Sequence, residues 1–176
     1  GDGIIFDHFI DREQFIWVTT PYSLQRFDGR NVRKYPFNET VTHAICSEDG
    51  SIWVLTGSGH TLWRNRQDWK GFEQIPFDTS GGVKLYGIFQ MKGSPVNLLT
   101  TKGLYAWHNN EKRFEHLPFE IPAVGLRHHI SRIDTCQGTL MYPVKGGVCA
   151  YNLATGMTRT VPTQGEFAHL MAVTPD

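Results

Sequence analysis

Short apolar runs separated by polar turns recur along the whole chain, and they recur in pairs. FIWVTTPYSLQRF (15–27), SIWVLTGSGHTLWR (51–64), PVNLLTTKGLYAWH (95–108) and TLMYPVKGGVCAYN (139–152) each hold an apolar run, a short turn and a second run ending in an aromatic residue. The leading apolar positions are Ile16, Ile52, Val96 and Leu140, spaced 36, 44 and 44 apart. Each unit closes on a similar phrase, KYPF, QIPF, HLPF or RTVP, whose prolines (Pro36, Pro76, Pro118, Pro162) lie 40, 42 and 44 apart. Recurrence of a two-part pattern in register marks a repeat protein.

Within a unit the period is that of strands. Ile52-Trp53-Val54-Leu55 is apolar on both faces, as a strand sandwiched between neighbouring sheets must be. Turn signals follow at short intervals: Asp49-Gly50, Gly57-Ser58-Gly59, then the polar loop at 65–71. The second unit is therefore expected to hold strands at 41–47, 51–56, 60–64 and 72–76, and no stretch shows a helical period. Four-stranded units of about 40 residues are the signature of β-propeller blades. A β-sandwich has similar strand spacing but does not require the whole phrase to recur, so it ranks behind. The expected fold is all-β, a single β-propeller segment over 1–176 and part of a larger propeller. Its blades fall at 3–38, 39–80, 81–122 and 123–165, with 166–176 starting a further one.

Composition fits a folded domain: of 176 residues, 40% are hydrophobic and 19% charged. Lys+Arg and Asp+Glu each total 17, and this balance speaks against a nucleic-acid partner, which needs a basic excess, and gives no reason to expect an anionic membrane partner. RNVRK (30–34) and RNR (64–66) read as solvated faces. Three cysteines form no CxxC pair or metal spacing; Cys46 and Cys149 fall within apolar strands, where a thiol acts as a small core residue. No run approaches the roughly 18 apolar residues of a membrane span, and no leader peptide is visible. The chain starts on Gly, so an excised or processed piece is expected, with any targeting or anchoring segment lying elsewhere.

SEDGSIWVLTGSGHTLWR resembles the two-component regulator propeller repeat, through Glu48, Asp49, Gly50, Ile52, Trp53, Val54, Thr56 and Gly59. The first unit keeps Ile16-Trp17-Val18 and Thr20 but has Glu13-Gln14 in place of Asp-Gly. The third keeps Thr100 to Tyr105 without the Trp, and the fourth keeps Gly146-Gly147-Val148. The resemblance implies a non-catalytic, periplasmic sensor region of membrane histidine kinases, often hybrid kinases that respond to polysaccharide fragments. The kinase and any membrane link would lie in segments absent from this sequence. It implies an oligosaccharide ligand and no cofactor. An open arc of blades leaves two unpaired blade faces, expected to be covered by self-association or by further repeats.

In a propeller, strand one of each blade lines the central channel, and the loops between strands two and three open on the same face as its start. The strand-one segments are expected at 4–11, 41–49, 83–90, 127–134 and 167–174. They carry His8, His43, His128 or His129, and His169, with Tyr86 in the remaining one. The loops add Tyr22, Ser23, Ser58, His60, Lys102 and Lys145. Such groups can hydrogen-bond a sugar or, when protonated, hold an anion; ordinary lining of a wet channel explains them as well. Tyr22 suits stacking on a pyranose face. No metal is expected, since histidines on different blades stand too far apart for a compact site. Trp17 and Trp53 are read as core, Trp63 and Trp107 as ends of third strands, and Trp69 as a loop residue on the opposite face.

Catalysis is not expected. SEDGSIW echoes the Asp-box of sialidases but lacks one residue between Asp and Gly and precedes the second strand. Asp7, Asp11 and Asp134 do not form a recurring pair for acid/base work, and there is no GxSxG nucleophile motif. The alternatives are a propeller glycosidase or lyase, or an interaction scaffold, although the paired Gly-His and Trp-Asp signatures of WD repeats are absent.

Overall fold

The computed structural model describes residues 4–57, 61–118, 134–136, 138–144 and 147–162. It forms two compact units, Gly1–Thr79 and Ser80–Asp176, each built from two four-stranded antiparallel sheets. In the first unit, blade 1 is β1 (Asp7–Ile10), β2 (Ile16–Thr20), β3 (Ser23–Phe27) and β4 (Val32–Pro36). Blade 2 is β5 (Val41–Cys46), β6 (Ile52–Thr56), β7 (Thr61–Asn65) and β8 (Phe72–Ile75). In the second unit, blade 3 is β9 (Leu85–Gln90), β10 (Val96–Thr100), β11 (Gly103–His108) and β12 (Arg113–His116). Blade 4 is β13 (Asp134–Cys136), β14 (Thr139–Val144), β15 (Gly147–Asn152) and β16 (Thr158–Pro162). Strands run in chain order across every sheet, so each blade is a meander closed by short turns.

The expected second blade is recovered to within a residue or so at each boundary. Of the inner strand expected for blade 4 at 127–134, the described residues include Asp134 alone. The described strand is Asp134–Cys136, which runs into a tight turn pairing Cys136 with Thr139 around Gly138 at φ 74°. That left-handed turn sets where the strand must end. Residues 127–133 and the expected fifth inner strand at 167–174 lie outside the described residues.

Each unit has its own core. In the first, Trp17, Leu24 and Tyr35 of blade 1 pack against Val41, Ala44, Ile52 and Val54 of blade 2. In the second, Phe89, Leu99 and Leu104 of blade 3 pack against Leu140, Tyr142, Val144, Cys149 and Tyr151 of blade 4. Every residue of β6 is buried, as its two-faced apolar pattern requires. Trp17 and Trp53 are fully enclosed, in line with their reading as core.

The two tryptophans are tied down by one device used twice. Trp17 Nε1 donates to Asp11 Oδ2 (2.6 Å), and Asp11 Oδ1 accepts the Glu13 and Phe15 amides (2.9 Å each). Trp53 Nε1 donates to Ser47 Oγ (3.2 Å), and the Ser47 hydroxyl donates to Asp49 (2.6 Å). Across the ladder, Arg26 stands opposite Trp17 and Arg64 opposite Trp53. Arg26 pairs with Glu13 at 2.9 Å and Arg64 with Asp49 at 2.8 Å. Each arginine thus clamps the first turn of its blade. For Asp49, burial alone would raise the carboxyl. The Ser47 hydroxyl, the Ser51 amide and hydroxyl, and Arg64 outweigh it and hold Asp49 below its ordinary value.

Candidate functional site

The first unit carries a cleft of about 560 Å³ between the outer strands of its two blades, a size typical of small-molecule sites. One wall comes from β4 and the segment after it, with Arg33, Lys34, Tyr35, Phe37 and Glu39. The other comes from Thr56, Trp63, Phe72 and Gln74 of blade 2, and Lys70 of the β7–β8 loop. The closing phrase KYPF places these groups. Tyr35 points into the core between the blades, and the chain then turns at Asn38-Glu39 towards β5.

Aromatic rings form the apolar part. Phe37 meets Trp63 edge-on at 5.6 Å and Phe72 at 5.4 Å, and Tyr35 meets Phe72 at 5.4 Å. A polar relay runs beside them: Trp63 Nε1 donates to Thr56 Oγ1 (2.9 Å), and the Thr56 hydroxyl donates to Glu39 Oε2 (2.8 Å). That leaves Glu39 oriented as an acceptor. It can sit there because Gly57, at φ 65°, has no side chain. A Cβ at Gly57 would stand 2.6 Å from Glu39 Oε2. Tyr35 is 6% exposed, and its hydroxyl is buried without a hydrogen-bond partner. An unsatisfied buried hydroxyl is costly, and here it belongs to a residue lining a cavity. Lys70 lies 3.8 Å from Asp68 and is otherwise solvent-facing. Three cations and one carboxylate make the lining cationic among the described residues.

The predicted channel residues are distributed differently. Tyr22 is exposed in the β2–β3 turn, and its carbonyl accepts the Phe37 amide at 2.9 Å. The turn is thereby tied to the wall of the cleft. His8 is exposed on β1, whereas His43 is buried on β5, where a bulge between Val41 and His43 sets it opposite Leu55. Neither lines the cleft. Tyr86 and Lys102 belong to the second unit. Tyr86 is half-buried, with burial raising its hydroxyl, and Lys102 is exposed, its carbonyl 2.9 Å from His116 Nε2. His60, His129, Lys145 and His169 lie outside the described residues. Trp63 proves to be central in β7, not terminal, and faces the cleft. Trp69, from the β7–β8 loop, packs 6.0 Å from Trp17.

The described residues do not assemble a reactive centre of a recognised kind. No three His, Cys, Asp or Glu side chains among them gather as a metal site requires. Burial first, then the negative charges of Asp11 and Asp49, raise the Cys46 thiol, which suits a packed residue and not a nucleophile. Glu39 is the one carboxylate among the described residues lining the cleft.

Neither a family model nor a curated protein sequence matches the chain. Solved structures do. The extracellular domain assigned to a hybrid two component system from B. thetaiotaomicron superposes with a TM-score of 0.68 at 14% identity, over 94% of this chain and 25% of that one. YCF48 from Cyanidioschyzon merolae gives 0.69 at 13% identity, over 93% of this chain and 57% of that one. Virginiamycin B lyase from Staphylococcus aureus gives 0.65 at 12% identity, over 90% and 55%. The chain thus spans between a quarter and somewhat more than half of the length of these structures. The extracellular domain of a two-component system among them agrees with the repeat resemblance in the sequence. Identities this low establish the fold alone, and that fold is the β-propeller.

Proposed function

We propose that this chain is a non-catalytic sensor module of an extracytoplasmic two-component signalling protein, periplasmic in placement, which binds a small oligosaccharide in the cleft of its first unit. The observation that carries the reading is the cleft itself, with the Tyr35, Phe37, Trp63 and Phe72 rings beside the Glu39 and Gln74 side chains in its lining. Aromatic rings supply the apolar contact a sugar face needs. Glu39 and Gln74 supply hydrogen bonds to ring hydroxyls, and the cations add a hold on an acidic substituent. The repeat resemblance and the structural likeness to an extracellular sensor domain support the signalling role. Tyr22, at the adjacent turn, would extend the stacking surface. His8, His43, His60, Tyr86, Lys102, His129, Lys145 and His169 remain proposed lining of the channel mouth.

Titration calorimetry against a panel of neutral and acidic oligosaccharides tests the proposal, with Gln74→Ala as the informative variant. That change trims an exposed hydrogen-bonding side chain of the lining, so stability should hold while binding weakens by about tenfold, the worth of one hydrogen bond. Wild-type protein that binds no member of the panel, or Gln74→Ala protein that binds as well, would sink it. The lyase likeness supports a second, enzymatic reading. Sugar hydrolysis, however, ordinarily needs a pair of carboxyl groups, and the described cleft offers Glu39 alone. Product formation in the same panel would favour the enzyme.

A further inference from the structure

The cleft of the first unit holds positive charge that its surroundings do not offset. Arg26 and Arg33 stand directly opposite each other on neighbouring strands, and like charges so placed repel. Arg26 is compensated: it pairs with Glu13 at 2.9 Å and lies 4.0 Å from Asp11. Arg33 lies over the Tyr35 ring, 5.2 Å from its centroid, and pairs with no carboxylate among the described residues. It lines the cleft, as does Lys70, whose side chain is 80% exposed and 3.8 Å from Asp68. An exposed pair of that length holds an ammonium only weakly. Glu39, in the same lining, accepts from the Thr56 hydroxyl and forms an ion pair with neither Arg33 nor Lys70. Arg33 and Lys70 are thus both open to an incoming anion.

Lys70 is placed by its neighbour. In the β7–β8 loop, Trp69 takes φ 55°, a left-handed conformation that is costly for a bulky side chain. The Trp69 ring docks on blade 1, 6.0 Å from Trp17 and 5.2 Å from the Arg26 guanidinium. Two bonds close the loop behind it: the Trp69 amide donates to the Arg66 carbonyl (3.0 Å), and the Arg66 amide to the Gly71 carbonyl (2.9 Å). With the ring seated there, the next side chain, Lys70, falls in the wall of the cleft.

We propose that the cleft selects saccharides bearing an anionic substituent, a carboxylate or a sulfate. Arg33 and Lys70 set this preference, and Trp69 is the positioning residue for Lys70. The inference rests on the cleft being the saccharide site. Arg33 offers a planar fork that matches two oxygens of either group, and Lys70 adds a point charge. The Phe37 and Trp63 rings take the sugar face beside them.

Calorimetry with matched pairs tests this: uronate oligosaccharides against their methyl esters, and sulfated ones against their desulfated parents. The acidic member should bind at least about tenfold tighter in one set or both, the worth of one charge-assisted hydrogen bond. The set that shows the margin tells which group is held. Raising salt from about 0.05 to about 0.5 M should shrink it. Arg33→Gln should cut the margin about fivefold, and Lys70→Gln and Trp69→Ala about threefold each. Trp69→Phe, which keeps a ring to dock, should restore it, with circular dichroism confirming the fold of every variant. Acidic and neutral partners that bind alike overturn this inference and leave the saccharide reading standing, whereas a panel in which nothing binds sinks both. An acidic preference that survives Arg33→Gln and Lys70→Gln combined also overturns it. An unaltered margin in Trp69→Ala overturns the positioning role.

Discussion

Replacing Asp11 by Ala should cost more stability than any other single change in the first turn of a blade. Asp11 is 6% exposed and holds three donors: the Trp17 indole at 2.6 Å and the Glu13 and Phe15 amides at 2.9 Å each. Arg26 stands 4.0 Å away. Hydrogen bonds to a charged group contribute about 1.5–3 kcal/mol each, and a buried donor left unpaired costs about 1–3 kcal/mol. The two amides lie in an exposed turn and can turn to water. The Trp17 indole, at 0% exposure, cannot. The net loss is therefore about 3 kcal/mol, with Asp11→Asn losing roughly half as much because one acceptor oxygen remains. Ser47→Ala is the internal control: it removes a neutral acceptor from Trp53 at 3.2 Å and should cost about 1 kcal/mol. Urea unfolding followed by tryptophan fluorescence yields these differences from the midpoint and slope. An Asp11→Ala protein within about 0.5 kcal/mol of wild type, or no less stable than Ser47→Ala, would refute this account of the turn.

Three further outcomes follow from the same geometry. Asp49 is held below its ordinary value in the folded chain, so its contribution is full above the unfolded carboxylate value and is lost as pH falls through the folded one. Thermal melts should therefore show Asp49→Asn less stable than wild type at pH 7, with the difference starting to narrow only below about pH 4; a gap that narrows already above that, or that keeps its full size down to the acid unfolding of the chain, contradicts the assignment. Gln14 takes φ 67° where blade 2 has Gly50 at φ 83°. Gln14→Gly should thus raise stability by about 0.5 kcal/mol, read from the urea midpoint, through relief of left-handed strain less the glycine entropy cost. Gly57→Ala should cost about 1 kcal/mol in the same assay and displace the Glu39 carboxylate from Thr56, weakening ligand binding in calorimetry. Binding unchanged in that variant would remove Glu39 from the site.

The repeat was legible because each blade must present the same apolar face to its neighbour, which forces the phrase around Ile52 to return at Ile16, Val96 and Leu140. The departure at Glu13-Gln14 was visible too, and it coincides with a non-glycine residue in left-handed conformation. Arg26 and Arg64 were missed as a pair. They lie nine and eleven residues after their tryptophans, and only the ladder register shows them equivalent. The cleft was missed for a related reason: Glu39 and Thr56 are 17 residues apart, one in the β4–β5 connection and one at the end of β6, and KYPF read as punctuation, not as a wall. His43 shows the limit of periodicity, because a one-residue bulge sets its position on β5 and no pattern of polar and apolar positions announces a bulge.

Chemical-shift mapping of the isotope-labelled chain, titrated with the oligosaccharide panel, tests the central claim most directly. A sugar bound in the cleft of the first unit should give saturable shifts centred on the Trp63 indole, the Phe37 and Glu39 amides and the Gln74 side chain, with the Trp53 indole unmoved. Saturable shifts confined to the second unit, or an absence of shifts with every sugar, would contradict it.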